Sequence, residues 1–200
     1  MLMGMVLMLG LSAHAGTVSI TFVGTPTGVN DGVNYVMPYQ LNINGVSTNA
    51  TCYDIFDTVT GGQNWTANAL NLAQAAATGQ FSGGANSLLG YKEVAFLAQQ
   101  TTNSAQNQID LQHDIWNVFA ADTYTVTTGM QQYLNLLVTP AYANFDFSKV
   151  LFLEDVKQAG GVQAFVIAPP TASPEPGTIV LMGAGALLIG IGTIKRQKRK

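Results

Sequence analysis

Cys52 is the only cysteine in the 200-residue chain. A lone thiol has no partner for an internal disulfide, so it is a small buried hydrophobe, one half of a link to a second chain, or a nucleophile. Sixty residues on, Gln112 sits in the run Ile109-Asp-Leu-Gln-His-Asp-Ile-Trp-Asn-Val-Phe119. At about 100° per residue, Ile109, Leu111, Ile115, Trp116, Val118 and Phe119 fill one broad arc, with Gln112 near its centre. An amide buried there unpaired costs about 1 to 3 kcal/mol. A thiolate held beside a side-chain amide can attack its carbonyl carbon and expel ammonia, leaving an internal thioester, provided water is excluded. The plainer reading is that the thiol packs as a hydrophobe and the amide bonds to backbone. His113 offers a third reading, a Cys-His hydrolase, because His14 belongs to a leader. On the same wheel, however, His113 falls with Asp110, Asp114 and Asn117 on the polar arc, about 100° from Gln112, where a solvated role is expected. Asp54, Asp57, Asp110, Asp114 and Asp122 offer oxygen ligands, but no segment has the D-x-D-x-D-G spacing of a calcium loop. No metal and no cofactor is expected.

The position of Cys52 follows from a hairpin. Tyr35, Met37, Tyr39, Leu41 and Ile43 alternate with polar Gln40 and Asn42, and Asn44-Gly45 calls for a two-residue turn. That register sets Ile43 opposite Val46, Leu41 opposite Thr48, Tyr39 opposite Ala50 and Met37 opposite Cys52, with the thiol on the apolar face. Val18 to Val23 reads as an earlier strand, followed by an Asn30-Asp31-Gly32 turn. Trp65, Ala69, Leu72, Ala73 and Ala76 predict a helix capped by Asn64 or Thr66 and stopped at Gly79, with Gly79 to Gly84 a linker. Leu88 to Ala98 predicts a second helix. Asn103 and Gln106 have capping-box spacing before the helix of Gln112. Another helix, Met130 to Val138, ends at Pro140. Lys149 to Leu153 and Gly161 to Ala168 read as strands around a Gly160-Gly161 turn. The expected fold class is α+β: a single mixed domain over 16–168, a β-sandwich or barrel with two to four helices, plus a C-terminal transmembrane helix.

Both ends of the chain address it out of the cytoplasm. Leu2 to Leu11 is apolar and Ala13-His14-Ala15 has the small-x-small form of a signal-peptidase site, so 1–15 reads as a signal peptide. Residues 169–176 form a Pro-rich linker ending in Ser173-Pro-Glu-Pro176. The uncharged run 177–194 would span about 27 Å as a helix, close to the ~30 Å of a bilayer core. Lys-Arg-Gln-Lys-Arg-Lys at 195–200 would keep the C-terminus cytoplasmic and the domain outside. Between Gly16 and Pro170 there are three lysines, no arginine and ten acidic residues, which argues against nucleic acid as a partner.

The ordered tail, Pro174-Glu175-Pro176, then an apolar span, then a basic terminus, resembles the PEP-CTERM sorting signal of Gram-negative bacteria. The resemblance implies that Pro174, Glu175 and Pro176 are read by exosortase, a membrane transpeptidase-like protease. It further implies passage, after signal peptidase, from the inner membrane to the cell envelope or exopolysaccharide matrix. Thr51-Cys52-Tyr53 and Leu111-Gln112-His113-Asp114-Ile115-Trp116 resemble the thioester domains of bacterial surface adhesins. Those place a cysteine after an aromatic or apolar residue and a glutamine in an apolar-Gln-x-Ala-apolar-Trp helix. The chain departs from that pattern at Thr51 and at Asp114, where alanine is preferred. This second resemblance implies that Cys52 and Gln112 form the bond, that Trp116 supports the core, and that an amine on a surface or exopolysaccharide is the target. The expected function is that of an exported, non-enzymatic envelope or matrix protein, with the covalent adhesin as the alternative.

Overall fold

Six strands close into a barrel in the order β1-β2-β3-β6-β5-β4, every neighbouring pair antiparallel. They are β1 Gly16–Gly24, β2 Tyr39–Ile43, β3 Val46–Cys52, β4 Asn64–Leu70, β5 Leu151–Asp155 and β6 Phe165–Ile167. The structure is a computed structural model and describes residues 16–100, 104–157 and 161–168, which belong to one folded unit. The signal peptide, the sorting motif, the 177–194 span and Asn103 lie outside the described residues. No helix among the described residues is long and apolar enough to cross a membrane.

The β2–β3 hairpin has the register its sequence predicts: Ile43 pairs with Val46, Leu41 with Thr48 and Tyr39 with Ala50. Asn44 (φ 49°) and Gly45 (φ 88°) both take left-handed backbone, which the tight turn between twisted strands requires. The strand stops short of Met37, however. Tyr35 lies in a loop, bridged to Asn30 and exposed, and Cys52 pairs with Phe165 of β6 rather than with Met37. The alternation from Tyr35 onward therefore overran the strand; the turn of chain at Pro38, which has no N–H to give a ladder, marks where pairing begins. Inside the barrel, Phe22, Tyr39 and Phe165 pack edge to face or tilted, with ring centroids 5.5 to 6.2 Å apart.

Among the described residues, five α-helices separate β4 from β5, one more than the upper expectation: α1 Leu72–Thr78, α2 Ser87–Ala98, α3 Ala105–Phe119, α4 Thr128–Leu134 and the single turn α5 Pro140–Ala143. The helix predicted from Trp65 is corrected to a strand over Asn64–Leu70 followed by α1. Trp65, Ala67 and Ala69 alternate with Thr66 and Asn68, and this period of two was masked by alanines that also fit a helix. The true cap is Asn71, which exchanges a reciprocal capping box with Gln74. At the start of α3 the cap is Ser104, whose hydroxyl accepts from the Asn107 N–H.

Tyr53 joins barrel to helices. Its ring packs against Phe81, Tyr91, Phe119 and Phe152 at 5.7 to 6.0 Å, and its hydroxyl donates to Glu154 Oε1 at 2.6 Å. Tyr91 donates to the same oxygen at 2.7 Å and the Gln80 N–H donates to Oε2 at 2.6 Å. Gly79, expected only to stop a helix, sits so close that a Cβ there would meet the Tyr91 hydroxyl and lie 2.8 Å from Glu154 Oε1. The Gly79 to Gly84 stretch is thus packed at its first residue against a buried carboxylate.

Candidate functional site

Cys52 ends β3 and Gln112 lies at the middle of α3, and both are fully buried, 0 % exposed. The Gln112 side chain reaches the backbone of Cys52, with Nε2 donating to the Cys52 carbonyl oxygen at 2.7 Å. The other end of the amide is held as well, because the Met37 N–H donates to Gln112 Oε1 at 3.1 Å. The helix supplies this position because Leu111, Ile115 and Trp116 bury the same side of α3 against the core cluster that contains Cys52.

The thiol itself donates to the Asp54 carbonyl oxygen at 3.0 Å. Burial pushes it up to about 12; the Trp116 side chain and a backbone hydrogen bond at Asp54 pull it back, while the Asp54 charge pushes it further up. The Trp116 indole N–H is buried with no hydrogen-bond partner. Its ring belongs to the core cluster that contains Cys52. Chemically, the arrangement offers a buried thiol held in its protonated form, a carbonyl carbon made more electrophilic by a donor on its oxygen, and a dry enclosure.

His113 is not the solvated residue that the wheel predicts. Its Nε2 lies 2.8 Å from Asp31 Oδ2, and its ring stacks on Tyr124 at 3.6 Å and on Trp116 at 5.9 Å. It shares no hydrogen bond with Cys52. Burial opposes ionisation of Asp31, but the Asn34 N–H, the His113 ring and the Val33 N–H outweigh it and hold the carboxyl below the usual range. Burial, with the nearby Cys52, Asp31 and Tyr124 charges, holds the Tyr39 phenol far above its ordinary value.

Asp110 and Asp114 are also corrected from solvated to buried, because α4 packs over the arc that the wheel leaves to water. Asp110 accepts from Thr127 Oγ1 at 3.1 Å and from Gln106 Nε2 at 3.2 Å, and it fills the space a side chain on Gly129 would need. Asp114 is 1 % exposed and neither carboxylate oxygen has a hydrogen-bond partner. Burial, then the Asp110 charge, pushes its carboxyl up to about 7. The folded state thus holds this proton above the unfolded value of 3.8, so stability is fully present below about pH 4 and is lost as pH rises through about 7. Asp114→Ala should match wild type near pH 4 and exceed it by about 1 to 3 kcal/mol at pH 8, read from urea midpoints at the two pH values.

Asp54 is buried and held by the Phe56 N–H at 2.8 Å and Gln80 Nε2 at 2.9 Å, whereas Asp122 is exposed. Among the described residues no group of three or more His, Cys, Asp or Glu side chains is placed to hold a metal ion. Sequence reasoning missed Asp31, Met37 and Tyr124. Asp31 was absorbed into a turn signal, and Met37 contributes only a backbone N–H, which no residue type announces. No family model matches the chain, and neither the curated proteins nor the solved structures give a match.

Proposed function

We propose that the chain is an exported surface or matrix protein whose domain carries an internal Cys52–Gln112 thioester and uses it once, to acylate an amine on a surface or polysaccharide partner. It is a covalent adhesin rather than an enzyme, since the bond is consumed by the reaction. Pro174-Glu175-Pro176, the 177–194 span and the basic end serve as its sorting signal: inner-membrane anchoring with a cytoplasmic C-terminus, then handling by exosortase. The observation that carries the reading is the 2.7 Å hydrogen bond from Gln112 Nε2 to the Cys52 carbonyl, between two fully buried residues brought from β3 and α3. The amide is held at both ends, by the Met37 N–H on Oε1 and by the Cys52 carbonyl on Nε2, within the buried cluster that contains the chain's one cysteine, and such fixed placement is what bond formation needs.

The test is the intact mass of the full chain purified in detergent, with and without methylamine, beside a Cys52→Ala control. The expected result is a wild-type mass short by one ammonia, a gain of one methylamine on treatment, and neither change in the control once the substitution is allowed for. A full wild-type mass with an unmodified Gln112 after methylamine would overturn the reading.

A further inference from the structure

The Gln112 amide is met by a segment, residues 30–37, that is tied down more firmly than a surface loop requires. Within it, Asp31 Oδ1 accepts from the N–H groups of Val33 at 2.9 Å and Asn34 at 2.6 Å. Asp31 Oδ2 reaches out of the segment to His113 Nε2 at 2.8 Å, and the Tyr124 hydroxyl donates to it at 3.4 Å. Asn34 Nδ2 donates to the Tyr124 hydroxyl at 3.2 Å. His113 is the residue next to Gln112, and its ring is fixed flat on Tyr124. The clasp therefore sets the distance between α3 and the chain that runs on to Met37, whose N–H points at Gln112 Oε1.

Negative charge develops on that oxygen twice in the chemistry proposed above. In bond formation Cys52 Sγ joins Gln112 Cδ, the Cδ–Nε2 bond breaks, and the thiol proton leaves with the nitrogen as ammonia. In bond opening an amine nitrogen joins Cδ, the Sγ–Cδ bond breaks, and the proton lost by the amine returns to sulfur. Both pass through a tetrahedral centre with its charge on Oε1, and a donor already in place in a dry site is most effective there.

We propose that the Met37 N–H is the oxyanion donor of both steps and that Asp31 and His113 are positioning residues that hold it on Gln112 Oε1. The inference rests on the thioester reading. It differs in sign from the idea that the clasp merely shields the bond, since loosening a shield speeds attack and misplacing a donor slows it.

The experiment follows intact mass and the rate of methylamine uptake for the full chain as wild type, Asp31→Ala, His113→Phe and His113→Gln, with thermal unfolding of each. His113→Phe keeps a ring for Tyr124 but loses the bond to Asp31, so it decides the matter if Asp31→Ala does not fold. The folded His113→Phe protein should form less thioester in a given time, or none, and what forms should react with methylamine about tenfold more slowly. His113→Gln, whose amide can donate to Asp31, should recover most of the wild-type rate, a rescue that loss of packing would not give. A folded His113→Phe or Asp31→Ala protein whose thioester reacts as fast as wild type, or faster, overturns the proposal. A wild-type chain that never loses ammonia instead removes the thioester reading itself, and that is seen in the wild-type arm alone.

Discussion

Replacing Gln112 by leucine in a Cys52→Ala background lowers the unfolding free energy by about 2 to 5 kcal/mol. The leucine fits the apolar surroundings, so the loss comes from what the amide leaves behind. The Met37 N–H and the Cys52 carbonyl remain buried, one without an acceptor and the other without a donor, at about 1 to 3 kcal/mol each. The Cys52→Ala background matters because it keeps residue 112 as an amide in the reference protein. Urea unfolding of the two chains measures the difference. In the wild-type background the same substitution ends both ammonia loss and methylamine uptake. A shift below about 1 kcal/mol would mean that the two backbone groups find other partners or water.

Glu154→Leu is the second large effect, an expected loss of about 3 to 5 kcal/mol, because it strands two buried donors, the Tyr53 and Tyr91 hydroxyls, and the half-buried Gln80 N–H at once. Tyr53→Phe removes only one of these and leaves the carboxylate two donors, so it should cost about 1 kcal/mol. The contrast separates the hydrogen-bond network from the aromatic packing around Tyr53, which the phenylalanine retains. Equal losses for the two variants would place the energy in the ring contacts instead. Because Tyr53 follows Cys52 directly and Gln80 also donates to Asp54, Glu154→Leu should in addition slow thioester formation.

The parts of the site legible in the sequence are those set by short-range periodicity. Alternation and the Asn44-Gly45 turn place Cys52 on an apolar face, and the helical wheel places Gln112 toward the core. What the wheel does not contain is the next layer. It assigns Asp110, His113 and Asp114 to water because they are polar, whereas α4 and the segment around Asp31 cover them. A helix with neighbours on both sides has no free face, and that is a property of the whole chain rather than of a 15-residue window. Trp65 illustrates a different failure. Alanine fits a half-buried strand as well as a helix, so in Asn64–Leu70 only the pairing with β1 and β5 decides. The barrel itself was expected only as one of two closures, because the neighbours of β6, namely β3 and β5, are fixed by contacts far apart in sequence.

The short strand β6 has a mechanical consequence. It is the last strand among the described residues, so if the chain is anchored through its tail as proposed, tension enters the barrel at Ile167. In the proposed adhesin the opposing pull enters at Gln112, on α3. Between these two points lies the β3–β6 ladder, in which Phe165 is the pairing partner of Cys52. Once the amide to the target has formed, Cys52 is no longer bonded to Gln112, and the covalent load runs through the helix backbone alone. The cysteine strand then bears force through hydrogen bonds to β2 and β6 and no longer through a covalent cross-link. The thiol that made the attachment is released from holding it.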